Sequence, residues 1–205
     1  MRNLKIVLPA FGAIVVLAFG AVLKCSAPTC SPPVWDADLL EWFAAWRSPA
    51  LDSLFTTVTW LGSLWMLAPL AMLMMIGMSV HRQGAKALRF AVAFAGASAL
   101  GYAAKFLIGR ERPALLDPTL SLPPNASFPS GHAMQITAFA LATVWLFAPS
   151  PQRRLWLGVA LILILLVGLS RLYLQMHFPS DVLAGTMAAA LWTFAFTCRE
   201  RKRHA

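Results

Sequence analysis

The amino-acid sequence predicts an all-α integral membrane protein of a single domain, residues 1–205, with six spans and a short interfacial helix between the first two. Three observations carry that expectation. The chain is 59% hydrophobic and only 12% charged, with a mean hydropathy of +0.68; a soluble domain carries about 25% charged residues. The apolar residues fall in runs of about 20, the length at which a helix crosses a bilayer, and lack the alternation over about ten residues that marks a transmembrane strand. The cations lie in short segments between these runs, where they set orientation rather than form one basic face. The net charge of +9 therefore does not point to nucleic acid.

The first run, 6–23, follows Arg2 and Lys5. A signal peptide begins the same way, but its apolar core is usually about 7–15 residues. Lys24-Cys25 is also no small-residue cleavage site, so 6–23 is read as the first span. Cys25 and Cys30 follow on the outer side with Pro28 between them; an oxidising exterior permits a disulfide there, the alternative being two free thiols. Residues 33–49 read as the interfacial helix, with Trp35, Leu39, Trp42 and Trp46 at helical spacing. Asp36, Asp38 and Glu41 fall in its first turns, where the helix dipole favours anions. That segment is expected to act as a headgroup-level aromatic belt without a catalytic duty. The remaining spans are 54–80, 87–108, 132–148, 155–174 and 182–198. Between the third and fourth, 109–129 holds Pro113, Pro118, Pro123, Pro124 and Pro129, which excludes regular helix. No internal repeat, low-complexity tract or interdomain linker interrupts the plan.

Placing the N-terminus inside puts Arg2, Lys5, Arg82, Lys86, Arg89, Arg153, Arg154, Arg199, Arg201, Lys202 and Arg203 on the cytoplasmic side. The outer side keeps Lys24, Arg47, Lys105, Arg110, Arg112 and Arg171. An even number of spans returns the basic tail to the starting side, so span count and charge asymmetry agree. His81 and His204 lie in the basic cytoplasmic segments and carry no expected role.

The polar residues then converge on the outer surface. Lys105 and Arg112 lie where the third span exits, Ser130, Gly131 and His132 where the fourth enters, Arg171 where the fifth exits, and His177 and Asp181 where the sixth enters. Charge near a bilayer interior costs about 2.5–3.5 kcal/mol per residue and marks function by default. Lys105, Arg112 and Arg171 have no matching set of acids; Arg offers a planar fork and Lys a point charge for phosphate oxygens. Lys105 and Arg112 are two helical turns apart and are expected to face the same way. Ser130 suits an N-cap, Gly131 allows close approach of a ligand, and a helix N-terminus is an anion site. His177 and Asp181 are spaced so that Asp181 can bond one imidazole nitrogen, leaving the other free to attack. His132 can then protonate a leaving oxygen. Three cations repel a divalent metal, and the spacing of Glu111 and Asp117 suggests no metal site, so no metal and no other cofactor is expected.

Lys105 to Arg112-Pro113, then Pro129-Ser130-Gly131-His132, then Ser170-Arg171 with His177 and Asp181, resembles the three-part signature of the type-2 phosphatidic-acid phosphatase superfamily. The match spans 105–181 without departure, and the six-span plan extends it over nearly the whole chain. The resemblance implies a six-helix bundle and a metal-independent enzyme that hydrolyses a lipid phosphate or diphosphate at the outer membrane surface. It implies a phosphohistidine on His177 supported by Asp181, with His132 as acid and Lys105, Arg112, Ser130, Gly131 and Arg171 as phosphate ligands. Short loops and compact size are most similar to the bacterial undecaprenyl-diphosphate, phosphatidylglycerophosphate and lipid A phosphatases of that superfamily. The implied setting is the bacterial inner membrane, with a membrane lipid and the bilayer as partners, no nucleic acid and no obligate protein partner. Two alternatives stand beside it: a phosphotransferase that passes phosphate between lipids, and a six-span transporter or structural protein, which polar groups at mid-membrane in broken, repeated helices would favour.

Overall fold

The computed structural model describes residues 4–23, 32–113 and 123–197. Cys25, Cys30, Lys24, Asp117 and the basic tail Arg199–Arg203 lie outside these residues, so the disulfide expectation does too. The described residues form eight α-helices: α1 (Leu4–Phe19), α2 (Val34–Ala45), α3 (Pro49–Thr59), α4 (Leu64–Val80), α5 (Gly84–Ile108), α6 (Gly131–Phe147), α7 (Arg153–Tyr173) and α8 (Pro179–Thr197). Three segments are long and apolar enough to cross a membrane: Pro49–Val80, Gly84–Ile108 and Ser150–Tyr173. Leu4–Phe19 and Gly131–Phe147 are shorter apolar helices.

The second expected span does not begin at residue 54. A single 3-10 turn, Trp60–Gly62, separates α3 from α4, and each helix has its own cap. Ser48 Oγ accepts from Leu51 N with Pro49 just inside α3, and Ser63 Oγ accepts from Trp65 N to restart the chain as α4. Residues 54–59 therefore belong to a separate helix packed on α7, where Tyr173 Oη donates to Asp52 Oδ1 at 2.8 Å. The 17 residues of α4 alone reach about 25 Å at 1.5 Å per residue.

α6 is the central helix, packed on α5, α7 and α8, and α1 lies along α8. Its buried positions include Ala133, Ala138, Ala140 and Ala142, small side chains that let neighbouring backbones approach closely. The outward faces remain apolar: Phe106 is 90% exposed, and Leu73, Leu107, Leu155 and Ile162 are exposed with it. In water such a surface would aggregate; it suits hydrocarbon. α2 divides along its length. Trp35, Leu39, Trp42 and Trp46 point outward, while Asp36, Leu40 and Phe43 are buried.

Candidate active site

One end of the bundle gathers the C-terminal ends of α5 and α7 and the N-terminal ends of α6 and α8. α5 stops at Gly109, whose φ of 64° lies in the left-handed region that glycine adopts without a Cβ penalty. Lys105 therefore lies on the helix and Arg112 beyond it. They converge because the chain turns at Gly109, not because they share a helical face. His177 sits in the short connection between α7 and α8, which is tied down from within: Gln175 Nε2 donates to Leu40 O at 2.9 Å and Met176 N to Arg171 O at 3.0 Å.

Lys105, Arg112, Gly131, His132, Arg171 and His177 all line one cavity of about 640 Å3. The cations in it are held by neutral oxygens. Lys105 Nζ donates to Ala126 O at 2.5 Å and to Ser127 O at 3.2 Å. Arg112 donates to Asn125 O, Asn125 Oδ1 and Met176 O at 3.0, 2.6 and 2.6 Å. Arg171 NH1 donates to Thr59 Oγ1 at 2.7 Å, while its Nε, though buried, has no partner. These carbonyls and hydroxyls fix the side chains without cancelling their charge, which is the arrangement an anion requires.

Ser130 stands at the cap position of α6, but its hydroxyl makes no capping bond and is buried without a partner. What holds the helix start is the backbone: Ser130 N donates to Asp181 O at 3.1 Å. The spare hydroxyl is therefore available to a ligand oxygen. The next residue shows the same pattern. A Cβ on Gly131 would meet nothing closer than Lys105 Cε at 3.8 Å.

The two ring nitrogens of His177 face different surroundings. Nε2 lies 3.5 Å from Arg112 NH1, on the cation side. Nδ1 lies 3.5 Å from Ser127 Oγ and 3.6 Å from Asp181 Oδ2. Both distances exceed a good N–H···O bond of about 2.7–3.2 Å. Ser127 Oγ in turn donates to Asp181 Oδ2, so it bridges imidazole and carboxylate. The direct His177–Asp181 bond that the sequence suggests is thus a looser contact supported by Ser127. Burial pushes the His177 pKa well below its ordinary value, and the charges of Arg171, Lys105 and Arg112 push it further the same way. That environment favours the neutral imidazole.

Asp181 is held by a group that the sequence pattern did not single out. Arg110 NH1 donates to Asp181 Oδ1 at 2.6 Å and to Ser180 Oγ at 2.6 Å, and Arg110 NH2 to Asp36 Oδ2 at 2.9 Å. Asp36 also accepts from Ser180 N at 2.8 Å and Ser180 Oγ at 2.6 Å. Both carboxylates are fully buried and the guanidinium nearly so. This corrects the view of residues 33–49 as an aromatic segment without a part in the site: the outer face of α2 carries the exposed tryptophans, and its inner face supplies Asp36 to the site. Arg110 is compensated by two acids, whereas Lys105, Arg112 and Arg171 face the cavity uncompensated. Among the described residues no three His, Cys, Asp or Glu side chains cluster as a metal site would need.

A family model described as the PAP2 superfamily matches residues 86–205, which includes every one of the cavity cations and both histidines. The chain belongs to the PAP2 superfamily. Phosphatidylglycerophosphatase B of Bacillus subtilis is 31% identical over 154 residues, covering 72% of this chain and 74% of the relative. An undecaprenyl-diphosphatase of Sulfolobus acidocaldarius is 35% identical over 107 residues, half of each chain. Among solved structures, the transmembrane PAP2-type phosphatidylglycerolphosphate phosphatase of Bacillus subtilis superposes with a TM-score of 0.75 at 26% identity, over 93% of both chains. LpxE of Aquifex aeolicus superposes with a TM-score of 0.63 at 25% identity, over 77% of this chain and 91% of that one. This PAP2 protein is accordingly an integral membrane enzyme of the lipid phosphatase class.

Proposed function

We propose that the protein hydrolyses a lipid phosphate or diphosphate at the outer face of the membrane through a covalent phosphohistidine on His177. The observation that carries this reading is the set of three cations, Lys105, Arg112 and Arg171, fixed by neutral oxygens around one cavity into which His177 Nε2 also faces. Nε2 attacks phosphorus in line with the leaving oxygen, and the P–O bond to the lipid breaks as the N–P bond forms. His132, which lines the same cavity, donates a proton to the departing oxygen. The cations, Ser130 Oγ and the Gly131 N–H take the charge of the transferring phosphoryl group. Asp181, through Ser127, stabilises the positive imidazole of the intermediate. Water, deprotonated by His132, then cleaves the N–P bond and restores the enzyme.

Six spans with both termini inside fit the arrangement. Arg82, Lys86 and Arg89 lie around the α4–α5 turn and Arg153 and Arg154 at the start of α7, at the end of the bundle opposite the cavity cations. Lys86 Nζ lies 5.7 Å from the Phe147 ring centroid, which ties the start of α5 to the end of α6 there. Short basic loops favour the cytoplasm, which turns the cavity outward in a bacterial inner membrane. The cavity also descends between α4 and α5 past Trp65, Ala68, Pro69 and Met72, an apolar channel for the lipid tail.

Rapid-quench capture tests the mechanism. Phosphate from a radiolabelled lipid should appear on His177 as an acid-labile, base-stable adduct, and His177→Ala should lose both adduct and turnover. EDTA should leave turnover intact. An adduct on His132, or activity that disappears with EDTA, would contradict the scheme.

A further inference from the structure

The one buried residue of α3 is polar. Thr59 is 6% exposed, while Leu51, Phe55 and Val58 of the same helix are only half-buried. A hydroxyl buried ahead of its apolar neighbours is placed for a partner rather than for packing. Two residues earlier, Thr57 spends its hydroxyl on its own helix, donating to Ser53 O at 3.0 Å. Thr59 Oγ1 instead accepts from Arg171 NH1 of α7 at 2.7 Å, across 112 positions of sequence.

The surroundings of that bond are fixed on both sides. Two residues on from Arg171, Tyr173 Oη accepts from Ser48 N at 3.1 Å and donates to Asp52 Oδ1 at 2.8 Å, which anchors the start of α3. The Tyr173 ring packs on Phe55 with centroids 4.4 Å apart. Past Thr59, the turn Trp60–Gly62 runs against the site itself: a Cβ on Gly62 would meet Val167 Cγ1 at 2.5 Å and His132 O at 3.1 Å. Ser63, Leu64 and Trp65 then line the cavity. The break between α3 and α4 therefore lets one helix end on Arg171 and the next begin at the cavity wall.

Arg171 gains from such a hold. Its guanidinium lines the cavity, and its Nε is buried with no partner. An arginine that is already fixed loses less rotamer freedom when it grips an oxyanion. A bond from NH1 to a neutral hydroxyl fixes the fork, keeps its charge and leaves Nε for a phosphate oxygen. Resting on the lipid phosphatase reading above, we infer that Thr59 is a positioning residue for phosphate binding, acting through Arg171. Thr59 itself does not line the cavity, so it works without touching substrate.

Orthovanadate, which takes the five-coordinate shape of a transferring phosphoryl group, reads the effect without turnover. Its dissociation constant is titrated on purified full-length protein in detergent from the rise in melting temperature it causes. Thr59→Val keeps the side-chain volume and removes the hydroxyl. It should weaken orthovanadate about tenfold or more, the range of a hydrogen bond to a charged group, and kcat/KM for a lipid phosphate should fall by a similar factor. Thr59→Ser, which keeps the hydroxyl, should bind as wild type does. In an Arg171→Ala background, Thr59→Val should not weaken orthovanadate further, whereas a merely structural threonine would cost the same in both backgrounds. Wild-type affinity in Thr59→Val, no rescue by serine, or an equal loss in both backgrounds would overturn the inference while leaving phosphatase function standing. A wild type that neither binds orthovanadate nor releases phosphate from any lipid phosphate would instead sink the lipid phosphatase reading, and this one with it.

Discussion

Replacing Arg110 with Met gives the sharpest test of how the site is held together. Methionine roughly fills the stem of arginine but removes its charge, stranding Asp36 and Asp181, both fully buried. Asp36, Arg110 and Asp181 together carry one net negative charge, which an imidazolium at His177 would balance; without Arg110 the pair carries two. Breaking a buried ion pair from one side costs about 3–5 kcal/mol. At about 2–4 °C per kcal/mol for a domain of this size, the melting temperature in detergent should fall by on the order of 10 °C. Turnover should fall as well, because a stranded carboxylate relieves its repulsion by taking a proton, and a protonated Asp181 no longer supports imidazolium. Asp36→Asn leaves Arg110 paired with Asp181 and should be milder on both counts. The double variant Arg110→Met/Asp36→Asn should be more stable than Arg110→Met alone, since one orphaned charge is gone. Intrinsic-fluorescence melts and a free-phosphate assay on the four proteins close a double-mutant cycle with a coupling in the range of about 0.5–3 kcal/mol. If Arg110→Met melts within about 2 °C of wild type and turns over normally, the network is not what orients Asp181.

Gly131→Ala should leave thermal stability near wild type, since the added methyl meets only ordinary contact at 3.8 Å, yet lower kcat/KM about tenfold or more by occupying phosphate space; unchanged kinetics would show that phosphate does not approach this backbone. His177 is held neutral by burial and by neighbouring cations, so its contribution to stability is complete above its unfolded pKa of about 6.5 and is lost as pH falls below it. That loss is visible as a steeper acid decline in melting temperature for wild type than for His177→Asn; parallel declines would contradict it. Reporter fusions after Arg82 should read cytoplasmic and fusions after Arg110 extracytoplasmic, and the reverse would put the cavity on the wrong side.

The family and most of the residues that gather at the cavity were legible in the linear sequence because they are written at fixed spacings across helix ends. Lys105 and Arg112, Ser130 to His132, and Arg171, His177 and Asp181 each form a short local pattern, and helix alternation alone brings those ends to one side. Composition likewise fixed the membrane class, since a bilayer admits few alternatives to apolar helices. Local spacing misled in three places. It read 54–80 as continuous, although the turn at Trp60–Gly62 and a fresh cap at Ser63 divide it. It read Ser130 as a capping side chain, but the hydroxyl makes no capping bond and the backbone N–H of Ser130 donates to the Asp181 carbonyl. It assigned Lys105 and Arg112 to one helical face, where Gly109 in fact turns the chain.

What only the tertiary structure decided is the support behind His177. Asp36 and Arg110 are 74 residues apart, and Arg110 and Asp181 are 71 apart. Neither separation leaves a periodic trace, so Asp36 looked like one more acid in the first turn of an amphipathic helix. Ser127, 50 residues before His177, was hidden for the same reason. Charge compensation depends on which groups meet in space. The sequence lists six outer cations, and only the packing of α2 against the start of α8 neutralises Arg110 while leaving Lys105, Arg112 and Arg171 uncompensated around the cavity.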